Sequence, residues 1–279
     1  MSGFRRHWAS WLVLGFGFAF LYVPILILMV YSFNESKLAT VWSGFSFKWY
    51  GELFENEQML RAAWLSLKVA FWTSTGAVAL GTMAALVMTR MHRFPTKTMF
   101  GALITAPLVM PEVILGLSML LLFVSVGDLV GMEPKGVLSI WIAHVTFTLA
   151  FVTVVISSRM AELDKSLEEA AMDLGANRLK VFFLITLPII SPALVSGWLL
   201  AFTLSLDDVV IASFVSGPGS TTLPIMVFSS VRRGLNPEIN ALATIMVVVV
   251  SLVAVTGWWW MQREDKKRQR DMQLALQQG

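Results

Sequence analysis

Three acidic residues interrupt stretches that are otherwise apolar: Glu112, Asp207 and Asp208. A carboxylate near the middle of a membrane helix costs about 2.5–3.5 kcal/mol on insertion scales, so it usually faces a cavity or a partner and marks a pathway. Three chemistries suit carboxylates placed this way. They can bind a cation in transit, relay protons in an ion-coupled carrier, or converge on one water as the acid–base pair of an intramembrane hydrolase. The sign of the lining helps to choose. No arginine lies inside an apolar run and Lys68 lies near the edge of one, so a path for sulfate or phosphate is poorly supported. A negative lining suits a cation with spaced amino groups. The structural alternatives are that Asp208 caps a helix break before 217-GPG-219, or that Glu112 pairs across helices. His144 reads as a hydrogen-bonded packing residue. No residue set suggests catalysis, a metal or a resident cofactor.

The elements that must position these groups are set by composition. Of 279 residues, 56% are hydrophobic and 14% charged, with a mean hydropathy of +0.71. Soluble domains carry about 25% charge, so an ordinary globular enzyme is excluded. A run of ~20 apolar residues crosses the hydrocarbon core as a helix, because lipid offers backbone groups no other partners. Six such spans are expected, at about 11–32, 64–89, 98–125, 137–158, 189–214 and 239–261. The fold class is therefore all-α and polytopic, a single membrane domain over 1–279. Arg5 and Arg6 precede the first run as in a secretory signal. That run is too long for one, though, and ends in 31-YSFNESK without a cleavage pattern, so it reads as an uncleaved span. Cysteine is absent, which rules out disulfides and thiolate chemistry here. The phosphate-cradling pattern G-x-x-x-x-G-K-[ST] is also absent, so any ATP chemistry must be supplied by a partner.

Basic residues orient the spans. With both termini inside, the inner segments hold Arg5 and Arg6; Arg90, Arg93 and Lys97; Arg159, Lys165, Arg178 and Lys180; and Arg263, Lys266, Lys267, Arg268 and Arg270. The outer segments hold only Lys37, Lys48, Arg61, Lys135, Arg232 and Arg233. The tail over 263–279 follows aromatic anchors at 258-WWW and reads as a basic patch at the lipid surface rather than a nucleic-acid site. With a straight-helix rise of 1.5 Å per residue, Glu112 lies roughly 21 Å from the inner end of its span and Asp207 roughly 28 Å beyond Pro188. Both then belong to the outer half of the membrane. No pair of interrupted spans in corresponding halves, a frequent mark of secondary carriers, is visible.

One inner segment, 159–188, is charged and helix-forming. Ser166 and Glu169 fit a capping box. Leu163, Leu167, Ala170 or Ala171 and Leu174 repeat at helical spacing, and Gly175 stands where a helix closes through a left-handed residue. A second helical piece starts near Asn177 and runs into Leu187-Pro188. A helix lying on lipid should be basic on its polar face. This one carries Glu162, Asp164, Glu168, Glu169 and Asp173 against Arg159 and Lys165, so a protein partner is expected.

Glu169-Ala170-Ala171, then Gly175, Ile185 and Leu187-Pro188, resemble in identity and spacing the EAA signature of the permease subunits of binding-protein-dependent ABC importers. The similarity runs from 45-FSFKWYGELFEN-56 through the last span. It implies the permease fold of type I importers. It also implies an ATPase-coupling segment made of Glu168, Glu169, Ala170, Ala171, Asp173, Gly175, Leu187 and Pro188. The run 202-FTLSLDDVVIASFVSGPGSTTLP-224 with 234-GLNPEINALATI-245 resembles the polyamine branch of that family. This implies a heterodimer with a sibling permease, two copies of a cytoplasmic ATP-binding subunit that uses ATP and Mg, and a periplasmic polyamine-binding protein. The setting would be the bacterial inner membrane, with Glu112, Asp207 and Asp208 on the substrate path by inference from position. The alternatives are an importer permease for another small cation or solute, and an ion-coupled carrier. The carrier reading leaves the EAA segment without a role.

Overall fold

The computed structural model describes residues 2–37, 41–91, 95–233 and 237–278. Twelve helices follow in order: α1 Ser2–Tyr31, α2 Lys48–Glu55, α3 Glu57–Arg90, α4 Lys97–Val109, α5 Glu112–Val130, α6 Val137–Glu162, α7 Lys165–Asp173, α8 Arg178–Val181, α9 Leu187–Leu206, α10 Val210–Val215, α11 Leu223–Arg233 and α12 Pro237–Gln278. A π-helical turn, Phe182–Thr186, joins α8 to α9. Among the described residues the one β feature is an isolated bridge between Asn34 and Phe45.

The chain divides into two compact units, 1–57 with 230–279, and 58–229. In the first, α12 packs against α1 and α2. Helix α1 exposes apolar side chains on every side, among them Trp11, Phe16, Phe20 and Leu21. A helix with no polar face is stable only in an apolar solvent, so this surface fits lipid. Trp49 of α2 is buried, and its indole N–H donates to the Asn34 carbonyl at 2.6 Å. Asn56 Nδ2 donates to Glu238 Oε2 at 2.8 Å.

The second unit is built around α6, which contacts α4, α9 and α10. One core cluster joins Ala77 and Ala85 of α3, Val152, Ile156 and Met160 of α6, and Ile190 and Ala201 of α9. Another joins Leu115 and Phe123 of α5, Ile140, Ala143 and Phe147 of α6, and Ile211 and Val215 of α10. Small residues let the α3 and α9 backbones approach α6, the usual basis of packing where lipid removes the hydrophobic drive.

Among the described residues four helices are long and apolar enough to cross a membrane, five if one bent pair counts as a single span. The span expected at 98–125 falls on that bent pair: α4 and α5 meet at 116° around Met110–Pro111. Pro111 lacks the N–H a continuing ladder needs and disfavours helical geometry at Met110, which is extended here. The straight-helix depth estimate for Glu112 therefore does not hold. The span expected at 189–214 likewise breaks, after Leu206. The expected sixth span falls on α12, whose apolar stretch among the described residues is Pro237–Leu252. The tail after it continues the same helix. Arg93 lies outside the described residues, as do the side chains of Arg5, Arg6, Arg233 and Lys266 to Arg270.

Candidate functional site

The elbow over 159–188 forms largely as its local chemistry dictates. Helix α7 is capped by Asp164, whose Oδ1 accepts the Ser166 N–H at 2.9 Å. The expected Ser166–Glu169 capping box is not formed, because the helix starts two residues earlier. Asp164 is extended at φ −64°, ψ 120°, and its charged oxygen is the better acceptor at the positive end of a helix. That bond holds the Asp164 carboxyl below its ordinary value.

At the other end Gly175 takes φ +87°. Ala176 N–H donates to the Ala171 carbonyl at 3.0 Å and Gly175 N–H to the Met172 carbonyl at 2.9 Å, the paired bonds of a Schellman closure. Asn177 Oδ1 then caps α8 by accepting from Lys180 N–H at 2.8 Å. In the π turn, Leu187 N–H reaches back five residues to the Phe182 carbonyl. Widening the turn there suits Pro188, which has no N–H to give the preceding turn.

Helix α7 buries none of its residues. Leu163, at the end of α6, is buried, but Leu167 is 50% and Leu174 90% exposed. Leu167 and Leu174 of the apolar stripe are thus left uncovered by the described residues. Glu169, Ala170 and Asp173 are exposed too, and Ala171 is half-buried. Beside the helix lies a groove of about 700 Å³, lined by Glu169, Met172, Arg178, Phe182 and Phe183 among others. Glu168 lines the same groove with Arg90 and Thr186, but is more enclosed than Glu169. Its carboxylate meets Arg90 Nε at 2.9 Å and Nη2 at 3.0 Å, and accepts from Thr186 Oγ1 at 2.8 Å. Arg90 counted only as an orientation signal in the sequence, and Thr186 not at all. Their separations from Glu168 carry no periodic pattern that points to the contact.

The three carboxylates gather where two helix breaks meet. Glu112 opens α5 just after Pro111, and Asp207 closes α9. Helix α10 packs on α5, and Gly116 permits it: a Cβ there would stand 3.2 Å from Ile211 Cα and 2.7 Å from the Phe214 ring. Two interrupted helices therefore do lie together, a pairing the sequence did not reveal. Glu112 is close enough to Asp207 and Asp208 for their charges to act on it.

Geometry separates the three. Glu112 and Asp207 are exposed. Asp208 is 7% exposed and caps the break: Oδ1 accepts from Ile211 N–H at 3.2 Å and Oδ2 from Ala212 N–H at 2.7 Å. His144 Nε2 faces Oδ2 across 3.1 Å, without the alignment of a straight hydrogen bond, and Nδ1 bonds Ser205 Oγ at 2.8 Å. The capping alternative for Asp208 is the geometry observed, and His144 is the packed, hydrogen-bonded residue expected. Leaving a buried polar group unmet costs about 1–3 kcal/mol, so His144→Leu should lower the melting temperature of the purified protein in detergent. An unchanged melting temperature would show that the ring contributes nothing to the break.

With this geometry in place, comparison with known proteins is informative. Residues 77–270 match the family described as binding-protein-dependent transport system inner membrane component. The chain is 60% identical over 272 residues to the putrescine transport system permease protein PotI of Escherichia coli (strain K12), covering 97% of this chain and 96% of that protein. It is 44% identical over 232 residues to the spermidine/putrescine transport system permease protein PotC of Haemophilus influenzae, covering 83% and 88%. In fold it is similar to a chain of the bacterial alginate ABC transporter crystallised with an alginate pentasaccharide-bound periplasmic protein. The TM-score is 0.71 at 18% identity, covering 90% of this chain and 93% of that one.

Proposed function

This chain belongs to the family of binding-protein-dependent transport system inner membrane components, and we propose that it forms one half of the path by which an ATP-driven importer brings a polyamine, putrescine above all, into the cytoplasm. The observation that carries the substrate class is full-length similarity at 60% identity to a putrescine permease. The elbow supports the mode of drive. Its spacing, its left-handed Gly175 and its uncovered Leu167 and Leu174 suit a partner that pushes on α7.

In this reading the chain crosses the inner membrane six times with both termini in the cytoplasm. It pairs with a sibling permease, two ATP-binding subunits and a periplasmic polyamine-binding protein, and ATP and Mg stay with the ATPase. Glu168, Glu169, Ala170, Ala171, Asp173, Gly175, Leu187 and Pro188 form the coupling segment. Closure of the ATPases displaces α7, and the Gly175 turn, α8 and the π turn pass the motion to α9. That helix has 20 residues, so it is a rod of roughly 30 Å. Its far end carries Asp207 and the break held by Asp208, against α5 with Glu112 at its start. A push at the elbow thus reaches the acidic cluster without an intervening loop. Exposed Glu112 and Asp207 hold the cationic amino groups of the substrate, and Asp208 keeps the break in shape.

Proteoliposomes carrying the whole importer should take up putrescine when ATP is enclosed and no proton gradient is present. Spermidine, offered in competition, should be the weaker substrate. Uptake that needs a proton gradient and ignores ATP would turn the assignment toward an ion-coupled carrier.

A further inference from the structure

Glu168 and Glu169 are adjacent carboxylates that line one groove and differ in exposure. Glu169 is exposed beside the open face of α7. Glu168 is turned inward, where its side chain is 15% exposed and that of Arg90 17%. Arg90 is the last residue of α3, and its guanidinium reaches both carboxylate oxygens: Nε stands 2.9 Å from Oε2 and Nη2 3.0 Å from Oε1. Thr186 is the last residue of the π turn, immediately before α9, and is buried; its hydroxyl donates to Oε1 at 2.8 Å. One carboxylate therefore joins three elements: the coupling helix, the end of α3 and the start of α9.

Apolar burial contributes little to this joint, since α7 has no fully buried residue. Nε and Nη2 both donate to Oε1, at 3.2 and 3.0 Å, with Oε2 in ion-pair contact. Two donors on one planar group fix direction as well as distance, and screening by water is weaker for a pair this sheltered. The π turn is a place where register can shift by one residue. Thr186 ties that turn to the same oxygen that the arginine holds. Helices α3 and α9 in turn both pack on α6 through Ala85, Ile156 and Ile190.

We propose that Arg90 and Thr186 are positioning residues for transport, clamping Glu168 so that displacement of α7 moves α3 and α9 together. Without the clamp α7 remains joined to α9 only in series, through Gly175 and the π turn, and part of its displacement is absorbed there. The proposal rests on the reading of α7 as the ATPase contact.

The test uses the whole importer in proteoliposomes and measures putrescine taken up per ATP hydrolysed. In parallel, Leu174→Cys is cross-linked to cysteines on the ATPase. Arg90→Glu and Glu168→Arg should each lower uptake per ATP roughly fivefold or more, as loss of a sheltered charge-assisted pair implies. The double exchange should recover to within about twofold, since it restores the pair in reverse. Thr186→Val, which keeps shape and removes one neutral donor, should cost about two- to threefold, and Arg90→Lys, which keeps charge without the two planar donors, a similar amount. Unchanged uptake per ATP in Thr186→Val and Arg90→Lys overturns the clamp, as does a double exchange no better than the worse single variant. These two mild variants decide the matter if the charge reversals fail to assemble. Absence of the Leu174→Cys cross-link in the otherwise unchanged importer overturns the ATPase-contact reading itself; a cross-link with unchanged ratios overturns the clamp alone.

Discussion

Gly175→Asp should lower putrescine uptake by the assembled importer at least about tenfold and loosen its ATPase. Two costs combine. At φ +87° any L-residue is strained by roughly 1–2 kcal/mol, and about 1.4 kcal/mol is a tenfold change in an equilibrium. The new carboxylate also stands beside Asp173 at the negative end of α7, where an anion opposes the helix dipole by about 0.3–1 kcal/mol at an exposed site. Among the described residues, and apart from its two chain neighbours, no atom comes within 4 Å of a Cβ built at that position, so there is room for it. The effect must come from the turn and from whatever covers it. Gly175→Ala carries the strain alone and should lie between wild type and Gly175→Asp. Transport assays in vesicles with co-purification of the ATPase check this, and normal uptake from Gly175→Asp would remove the turn from coupling.

Replacing both exposed carboxylates, Glu112→Gln with Asp207→Asn, should reduce uptake by about ten- to a hundredfold, the range expected from losing hydrogen bonds to a charged group at about 1.5–3 kcal/mol. Assembly with the other subunits should survive, because neither side chain is buried in the second unit. Asp208→Asn should behave differently. It alters the cap of α10 and the face toward His144, so its first effect is on stability, read as a lower melting temperature. Full uptake by the doubly substituted importer would take Glu112 and Asp207 off the path.

Much of the elbow was legible because its signals are local. A glycine at the C′ position, an asparagine before a short helix and a proline after a widened turn each act within one or two helical turns. The capping box failed for a local reason as well: Asp164 and Ser166 both qualify as caps, and the carboxylate takes the position. The breaks were harder to read. A proline such as Pro111 can kink a helix, but a bend of 116° exceeds what one proline implies. The break after Leu206 has no proline at all and depends on Asp208 finding two backbone donors and a histidine.

The sequence by itself determined the solvent, the family and the local form of the elbow: long apolar runs call for lipid-facing helices, and the elbow's pattern lies within one stretch of chain. Only the tertiary structure decided which carboxylates remain open and which are enclosed. It alone set Asp208 against His144 and joined Arg90 and Thr186 to Glu168 across 78 and 18 residues. The reason is physical. Where a span bends, and what its polar groups meet, depends on how neighbouring helices pack, and no periodicity within one helix records the face another will present.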